Sequence, residues 1–182
     1  MSTGVCALAL AGCGGDEKRQ DADEPKGDWV VEVAEAKFPL SQRLARQETM
    51  RIRVRNTEDR PIPNIAVTID GFSRASEQQG LADPQRPVWI VDDGPRGGVT
   101  AYTNTWALGK VEPGQEKTFE FKVTPVKPGN HRVRYEVSAG LDGNARARLA
   151  GGGQPEGVFS VRVRRDPSQS RVDPDSGDVI RR

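Results

Sequence analysis

Histidine and cysteine are nearly missing from this 182-residue sequence, which has one histidine, His131, and two cysteines, Cys6 and Cys13. A single histidine without cysteine partners or a carboxylate cluster is a poor set of metal ligands. No second histidine is present to act as a base, and no G-x-S-x-G motif frames a serine nucleophile. The sequence therefore predicts no enzymatic activity, no cofactor and no metal site.

Long apolar runs are also lacking at the N-terminus, where Val5–Ala11 is far shorter than the roughly 20 residues of a membrane-spanning helix. A run of this length is typical of the apolar region of a secretory signal. Leu10-Ala11-Gly12-Cys13 follows it and resembles the lipobox of bacterial lipoproteins. The resemblance implies that residues 1–12 are a signal peptide, that Cys13 receives the lipid, and that the chain is held by the bilayer on the extracytoplasmic face of the cell membrane.

No Lys or Arg precedes the apolar run, although a signal peptide normally begins with one. We therefore expect the true translation start to lie upstream of Met1. The alternative is a cytoplasmic protein whose N-terminus contains a cysteine by chance. If Cys6 leaves with the signal and Cys13 is acylated, the mature domain has no disulfide.

Charge is balanced, at a net +1, which argues against a dedicated nucleic-acid binder. It is unevenly distributed, since residues 16–28 have six carboxylates and three basic side chains. We expect 13–28 to be the lipidated cysteine with a flexible tether, 29–165 a β-sandwich domain, and 166–182 a polar tail.

Apolar and polar residues alternate with a period of two through most of the domain, which predicts about seven strands that each have one apolar face. The apolar positions of these strands are Trp29/Val31/Val33, Met50/Ile52/Val54, Ile65/Val67/Ile69, Phe119/Phe121/Val123, Val133/Tyr135/Val137, Ala145/Ala147/Leu149 and Phe159/Val161/Val163. Strands with one wet face are typical of antiparallel sheets. Asp142-Gly143 predicts a hairpin turn, and Leu40–Gln47 is the only candidate for a short helix. The fold class is all-β, an antiparallel sandwich.

Three segments resemble bacterial immunoglobulin-like surface modules, and in particular the cell-adhesion-related domain found in bacteria. They are Met50–Asp59, Leu108–Gln115 and Lys127–Val133, which carry an alternating strand with Asn-Thr after it and two Pro-Gly turns. The resemblance covers roughly residues 48–139, apart from the stretch 71–104, and implies an immunoglobulin-like sandwich with no ligand specified.

The stretch 71–104 interrupts the strand pattern, and loops longer than about 15 residues are usually functional or disordered. Because aromatic residues and arginine are enriched at binding hot spots, Trp89, Arg96 and Tyr102 are the candidate residues for a partner surface. The alternative is that Trp89 and Trp106 cap the core. Asp92-Asp93-Gly94 lacks the D-x-D-x-D-G pattern of a calcium loop.

Arginines alternate with the apolar residues on several strands and should face outward. They are Arg51, Arg53, Arg55, Arg132, Arg134, Arg146, Arg148, Arg162 and Arg164. If their strands are neighbours, they form a basic surface for an anionic envelope polymer with phosphate or carboxylate groups. The alternative is that arginine is the solvent-facing partner of nearby glutamates and protects strand edges.

We therefore expect a non-enzymatic binding or structural module of the cell envelope, whose partner is an envelope protein or an anionic polymer. The alternative without a binding role is a purely structural spacer. An accessory domain of an envelope enzyme, or a cryptic hydrolase, is the alternative from another class.

Overall fold

The computed structural model describes residues 23–73, 87–166, 170–177 and 179–181. The strands of these residues form two six-stranded sheets and a separate two-stranded ribbon. The first sheet has the strand order β11-β1-β3-β9-β6-β5, with bounds Ala145–Arg148, Gly27–Lys37, Glu48–Asn56, Glu116–Pro125, Trp89–Asp93 and Phe72–Ser73. The second has the order β2-β12-β10-β4-β8-β7, with bounds Ser41–Arg43, Glu156–Arg164, Gly129–Ser138, Ala66–Asp70, Thr105–Ala107 and Val99–Tyr102. The ribbon pairs β13, Ser170–Val172, with β14, Val179–Arg181.

The predicted alternation of apolar and polar residues places the apolar side chains of the strands inside the sandwich. On β9, Phe119, Phe121 and Val123 are completely buried, and the residues between them reach the surface. On the neighbouring β3, Met50, Ile52 and Val54 are buried at 0–1% exposure. The apolar faces of both sheets meet in one core, which burial of apolar surface stabilises. The prediction of an all-β sandwich is confirmed.

All seven predicted strands are present, as β1, β3, β4, β9, β10, β11 and β12. The main ladders are antiparallel, and three short pairings at the sheet margins are parallel: β1–β11, β2–β12 and β5–β6. The described residues include no helix that is long and apolar enough to span a membrane.

Two local predictions are wrong. Residues 41–43 form β2 and not part of a helix, because Gln42 lies beside Val163 of β12 and its side chain is buried. The Asp142-Gly143 turn does not join a hairpin, because β11 pairs with β1 of the first sheet after β10 has run in the second. Gly143 does adopt the positive φ, 80°, that the turn predicted.

The described part of the 71–104 stretch completes the sandwich. β6 adds to β9 in the first sheet, and β7 pairs with β8 in the second. Residues 74–86 of this stretch lie outside the described residues. The segment therefore supplies edge strands to both sheets, so part of it belongs to the core.

Candidate functional site

Trp89 lies in the core, and this corrects its assignment to a partner surface. Its side chain is 0% exposed, and its ring contacts Phe38, Phe72 and His131. The indole Nε1 donates a hydrogen bond of 2.7 Å to Oε1 of Gln42. A side chain enclosed in this way cannot touch a partner unless the domain opens, so Trp89 is a core residue.

Arg96 and Tyr102 are exposed, and Tyr102 keeps 46% of its surface accessible. Arg96 lies in the turn between β6 and β7 and lines a recess of about 330 Å³ with Asp92, Asp93 and Trp106. Tyr102, at the end of β7, is not among the residues that line this recess. The three residues predicted as one surface are therefore separated, one in the core and two at the surface. Cys13, the predicted lipidation site, lies outside the described residues.

The two adjacent aspartates at the end of β6 both bind neighbouring side chains. Asp92 Oδ2 accepts hydrogen bonds from Thr124 Oγ1 at 2.6 Å and Gln47 Nε2 at 3.1 Å. Asp93 pairs with Lys122 at 3.7 Å. Within the ranges that the structure describes, no group of three or more histidine, cysteine or acidic side chains is arranged to hold a metal ion. His131 lies at the margin of the core, with Nε2 3.1 Å from the carbonyl oxygen of Lys127.

The outward arginines are divided between the two faces of the sandwich, because β3 and β11 belong to the first sheet and β10 and β12 to the second. The predicted single basic surface is therefore wrong as a whole. On the first sheet, carboxylates pair with four of the five outward arginines. Arg51 pairs with Glu120 at 2.5 Å and Arg146 with Asp28 at 2.9 Å, while Arg53 and Arg148 have longer pairs. These contacts lie near the surface, where ion pairs contribute about 0–1 kcal/mol each. The solvent-facing interpretation of arginine fits this sheet.

The ion pairs of the first sheet also set the ionisation of its carboxylates. The hydrogen bond from Arg51 lowers the pKa of Glu120, and Arg51 itself has a raised pKa for the same reason. The positive charge of Arg51 is therefore balanced by the negative charge of Glu120. Among the outward arginines of this sheet, Arg55 alone has no ion pair with a residue of the described chain.

The second sheet differs in that several of its outward arginines have no carboxylate partner among the described residues. At the end where β10 begins and β12 ends, Arg132, Arg162 and Arg164 are exposed on the outer face. Arg43 joins them, because it lies beside Arg164 in the parallel β2–β12 pair while its neighbour Gln42 points into the core. We call these four residues the arginine cluster. None of their guanidinium groups makes an ion pair or hydrogen bond with another residue of the described chain.

The register fixes the spacing of the arginine cluster. Arg162 and Arg164 are two residues apart on one strand, which is about 7 Å. Arg132 lies opposite Ser160 and so is diagonal to Arg162, at about 7–8 Å. Like charges placed this closely are destabilising, and a bound anion relieves that repulsion. Planar guanidinium groups bind phosphate and carboxylate oxygens in pairs.

The arginine cluster borders an open recess of about 580 Å³. Asn130, Arg162, Arg164 and Arg165 supply most of its polar wall, with one carboxylate, Asp166. Arg134 marks the end of the unpaired region, because it pairs with Glu156 and has Glu136 and Asp70 nearby. The cationic surface is therefore confined to one end of the second sheet.

Sequence reasoning missed Arg43 and Arg165. The position of Arg43 beside Arg164 follows from the parallel β2–β12 pairing, and the local sequence gives no sign of that pairing. Arg165 comes directly after β12 and lines the same recess. Sequence reasoning also missed the role of Glu24, which was placed in a flexible tether. Glu24 Oε2 accepts hydrogen bonds from the backbone N–H groups of Leu141, at 2.6 Å, and Asp142, at 3.3 Å. A Cβ at Gly140 would collide with this carboxylate, so the glycine makes room for it.

Partial burial raises the pKa of Glu24, and the two backbone hydrogen bonds oppose that rise. The other carboxylate oxygen, Oε1, is buried without a hydrogen-bond partner among the described residues. The chain is thus attached to the loop between β10 and β11 before β1 begins. We call this contact the Glu24 clamp.

A second recess, of about 610 Å³, is mainly apolar. It lies beside the link from β1 to β2, and Phe38, Pro39, Leu40 and Phe159 line it, with the Arg51–Glu120 pair at its side. Leu40 is 57% exposed there. Nothing in the described residues indicates what covers this groove.

The chain matches no known protein-family profile and no curated protein sequence. Several solved structures have a similar architecture. The CARDB domain of the PF1109 protein from Pyrococcus furiosus, in a solution structure, has 16% identity and a TM-score of 0.45, over 73% of this chain and 93% of that domain. A crystal structure of that domain in complex with di-metal ions has 18% identity and a TM-score of 0.45, over 76% and 90% of the two chains.

A Salmonella alpha-2-macroglobulin reacted with methylamine has 16% identity and a TM-score of 0.44, over 78% of this chain and 7% of that protein. The CARDB domain is the type that the strand and turn motifs of the sequence resemble. At these values the similarity concerns architecture alone, and no ligand is carried over from it.

Proposed function

We propose that this protein is a lipid-anchored envelope lipoprotein whose sandwich is a non-enzymatic module that binds an anionic polymer through the arginine cluster. The lipobox-like sequence that ends at Cys13 supports the anchor. A lipid on Cys13 that has two or more acyl chains holds a protein stably at a bilayer, since each buried methylene contributes about 0.8 kcal/mol.

One observation carries the binding function. Four arginines on three neighbouring strands are free of carboxylate partners within the described chain, while four of the five outward arginines of the opposite sheet are paired. Unpaired guanidinium groups on strand positions about 7 Å apart suit a polymer that repeats phosphate or carboxylate groups. Because the surface is open, a chain can lie across it and engage several arginines at once.

The binding test uses inorganic polyphosphate and polygalacturonate as probes of the two anion types. We expect the chain to bind at least one of them with an affinity that falls as salt rises. The variant Arg132→Ser/Arg162→Ser/Arg164→Ser should weaken that binding at least about tenfold, because charge-assisted hydrogen bonds are removed. Isothermal titration calorimetry gives the affinities, and circular dichroism checks that each variant is folded.

A matched control removes the same charge from the other face. The variant Arg51→Ser/Arg53→Ser/Arg146→Ser changes the net charge equally but breaks pairs that are already neutralised. It should bind the probes nearly as well as the wild type. Equal loss in both variants would mean that only net charge matters, and it would remove the assignment of binding to the arginine cluster.

The anchor has its own test. Metabolic labelling with a fatty acid should tag the protein in a bacterial host, and Cys13→Ala should release it from membranes. Cys6→Ala is the control, because that residue lies before the proposed cleavage site and should not affect labelling. A soluble, unlabelled wild-type protein would contradict the anchor and leave the binding proposal intact.

A further inference from the structure

The two ends of the sandwich have different roles if the chain is anchored at Cys13. β10 runs from Gly129, beside the arginine cluster, to Ser138, just before the loop that holds the Glu24 clamp. Ten extended residues span about 30 Å. The arginine cluster and the clamp are therefore at opposite ends of the second sheet.

The point of entry of the N-terminal segment is fixed by two contacts at the clamp end. Glu24 binds the Leu141 and Asp142 amides, and the N–H of Gly27 donates to the carbonyl oxygen of Asn144 at 3.0 Å. β1 then runs parallel to β11, away from this loop. The described chain therefore begins at the end of the sandwich that is far from the arginines.

From this geometry we infer that the arginine cluster faces away from the anchoring membrane and binds polyanions beyond it, rather than the anionic headgroups of that membrane. The inference rests on the proposed anchor and the proposed polyanion binding, and it deepens them by selecting the source of the anion. Both sources share phosphate chemistry, so only the position of the cluster distinguishes them.

Charge on the tether supports the same orientation. Residues 16–28 have six carboxylates against three basic side chains, so an anionic bilayer surface repels the segment next to the anchor. Asp28 is already paired, with Arg146 at 2.9 Å. The basic surface at the other end includes Arg165 as well as the arginine cluster.

The test attaches the full chain to vesicles in two orientations. With Cys6→Ser, Cys13 is the single thiol and is coupled to a maleimide lipid. In the reversed form, Cys6→Ser and Cys13→Ser remove both natural thiols, and Asp166→Cys supplies the single thiol for coupling. Position 166 follows β12 and lies at the end of the sheet that has the arginine cluster. Each form is placed on phosphatidylcholine vesicles with or without phosphatidylglycerol, and polyphosphate affinity is measured by fluorescence anisotropy.

We expect the Cys13-coupled chain to bind polyphosphate equally on both vesicle types. The reversed chain should lose at least about tenfold on the anionic vesicles, since arginines near a negative surface each contribute about 1 kcal/mol to membrane attraction. An equal loss in the Cys13-coupled chain would overturn the inference. The absence of any loss in the reversed chain would also overturn it. The orientation of the arginine cluster would then have no effect on polyphosphate affinity at an anionic membrane. Failure of the untethered chain to bind polyphosphate is a separate result that contradicts the proposed function itself.

Discussion

The indole Nε1 of Trp89 donates a buried hydrogen bond to the side-chain oxygen of Gln42, at 2.7 Å, and so joins the two sheets across the core. Trp89 belongs to β6 of the first sheet and Gln42 to β2 of the second. Gln42 is 1% exposed and also donates to the carbonyl oxygen of Pro39 at 2.8 Å. A buried polar pair of this kind is stabilising only while both partners are present.

Gln42→Leu should therefore lower the free energy of unfolding by about 1–3 kcal/mol, because it leaves the indole N–H unsatisfied. Urea denaturation followed by tryptophan fluorescence measures the change. Trp89→Phe combined with Gln42→Leu removes both partners and should recover part of the loss. If the double variant is less stable than the two single changes predict by addition, the hydrogen bond is not the reason for the effect.

Asn56 holds the β3–β4 connection and the β8–β9 connection together. Its completely buried side chain donates to the carbonyl oxygens of Arg60, at 2.9 Å, and Val111, at 3.0 Å, and accepts from the N–H of Glu58 at 3.0 Å. Asn56→Ala should lower the free energy of unfolding by more than about 2 kcal/mol.

The neighbouring Thr57→Ala is the control for Asn56. Its hydroxyl makes one exposed bond, to the carbonyl oxygen of Val30 at 3.0 Å, so the loss should stay below about 1 kcal/mol. Thermal unfolding compares the two variants. Similar losses would show that the buried amide has no special role.

Gly157 touches the ring of Tyr135 across the β10–β12 pair. A Cβ at this position would lie 2.5 Å from Tyr135 Cε1, and the ring is 7% exposed. Gly157→Ala should destabilise the domain by about 1–3 kcal/mol through overpacking.

Gly151→Ala is the matched control, since a Cβ there meets nothing within 4 Å. Tyr135→Leu in the Gly157→Ala background shortens the side chain and should relieve the clash. Chemical denaturation gives the free energies of unfolding of the wild type, the two glycine variants and the Tyr135→Leu/Gly157→Ala variant. Equal effects at positions 157 and 151 would contradict the steric explanation.

Two glutamates should titrate in opposite senses. Burial raises the pKa of Glu24 above its ordinary value of 4.5, whereas the hydrogen bond from Arg60 lowers the pKa of Glu58. The contribution of Glu24 is therefore fully present below pH 4.5 and is lost as pH rises through its raised pKa. The contribution of Glu58 is present above pH 4.5 and is lost as pH falls through its lowered pKa.

NMR titration of the two carboxyl groups measures both shifts directly. Glu24→Gln should reduce the decline in stability that begins above pH 4.5, to which Glu48 with its raised pKa also contributes. Glu58→Gln should reduce the loss below pH 4.5, to which Glu35 and Glu120 also contribute. A Glu24 carboxyl that titrates below 4.5 would mean that its backbone hydrogen bonds outweigh burial.

The strands that could be predicted from the sequence are those in which buried and accessible residues alternate along most of the strand. β9 and β10 show this clearly, since each buries alternate residues along most of its length. β2 could not be found in this way, because its three residues are all polar and its buried member is Gln42. Its existence depends on a pairing with residues 162–164, more than a hundred positions along the chain.

The candidate site shows the same limit. Outward arginines follow from strand parity, but which of them are neighbours depends on strand order, and that order divides them between two sheets. The burial of Trp89 likewise depends on β6 joining β9, which the surrounding prolines and glycines did not indicate. The Glu24 clamp depends on a contact with residues 141 and 142, which are distant in sequence.

The opposite placement of the Glu24 clamp and the arginine cluster also determines how the domain bears mechanical load. If the proposed anchor is pulled one way and a polymer at the proposed binding surface is pulled the other, the force is directed along β1. That strand pairs with β11 through residues 27–30 and with β3 through residues 31–37. Its ladder bonds lie across the direction of pull, so they are sheared together and not opened one after another. β1 is thus oriented to resist extraction, and the Glu24 clamp bears load before β1 does.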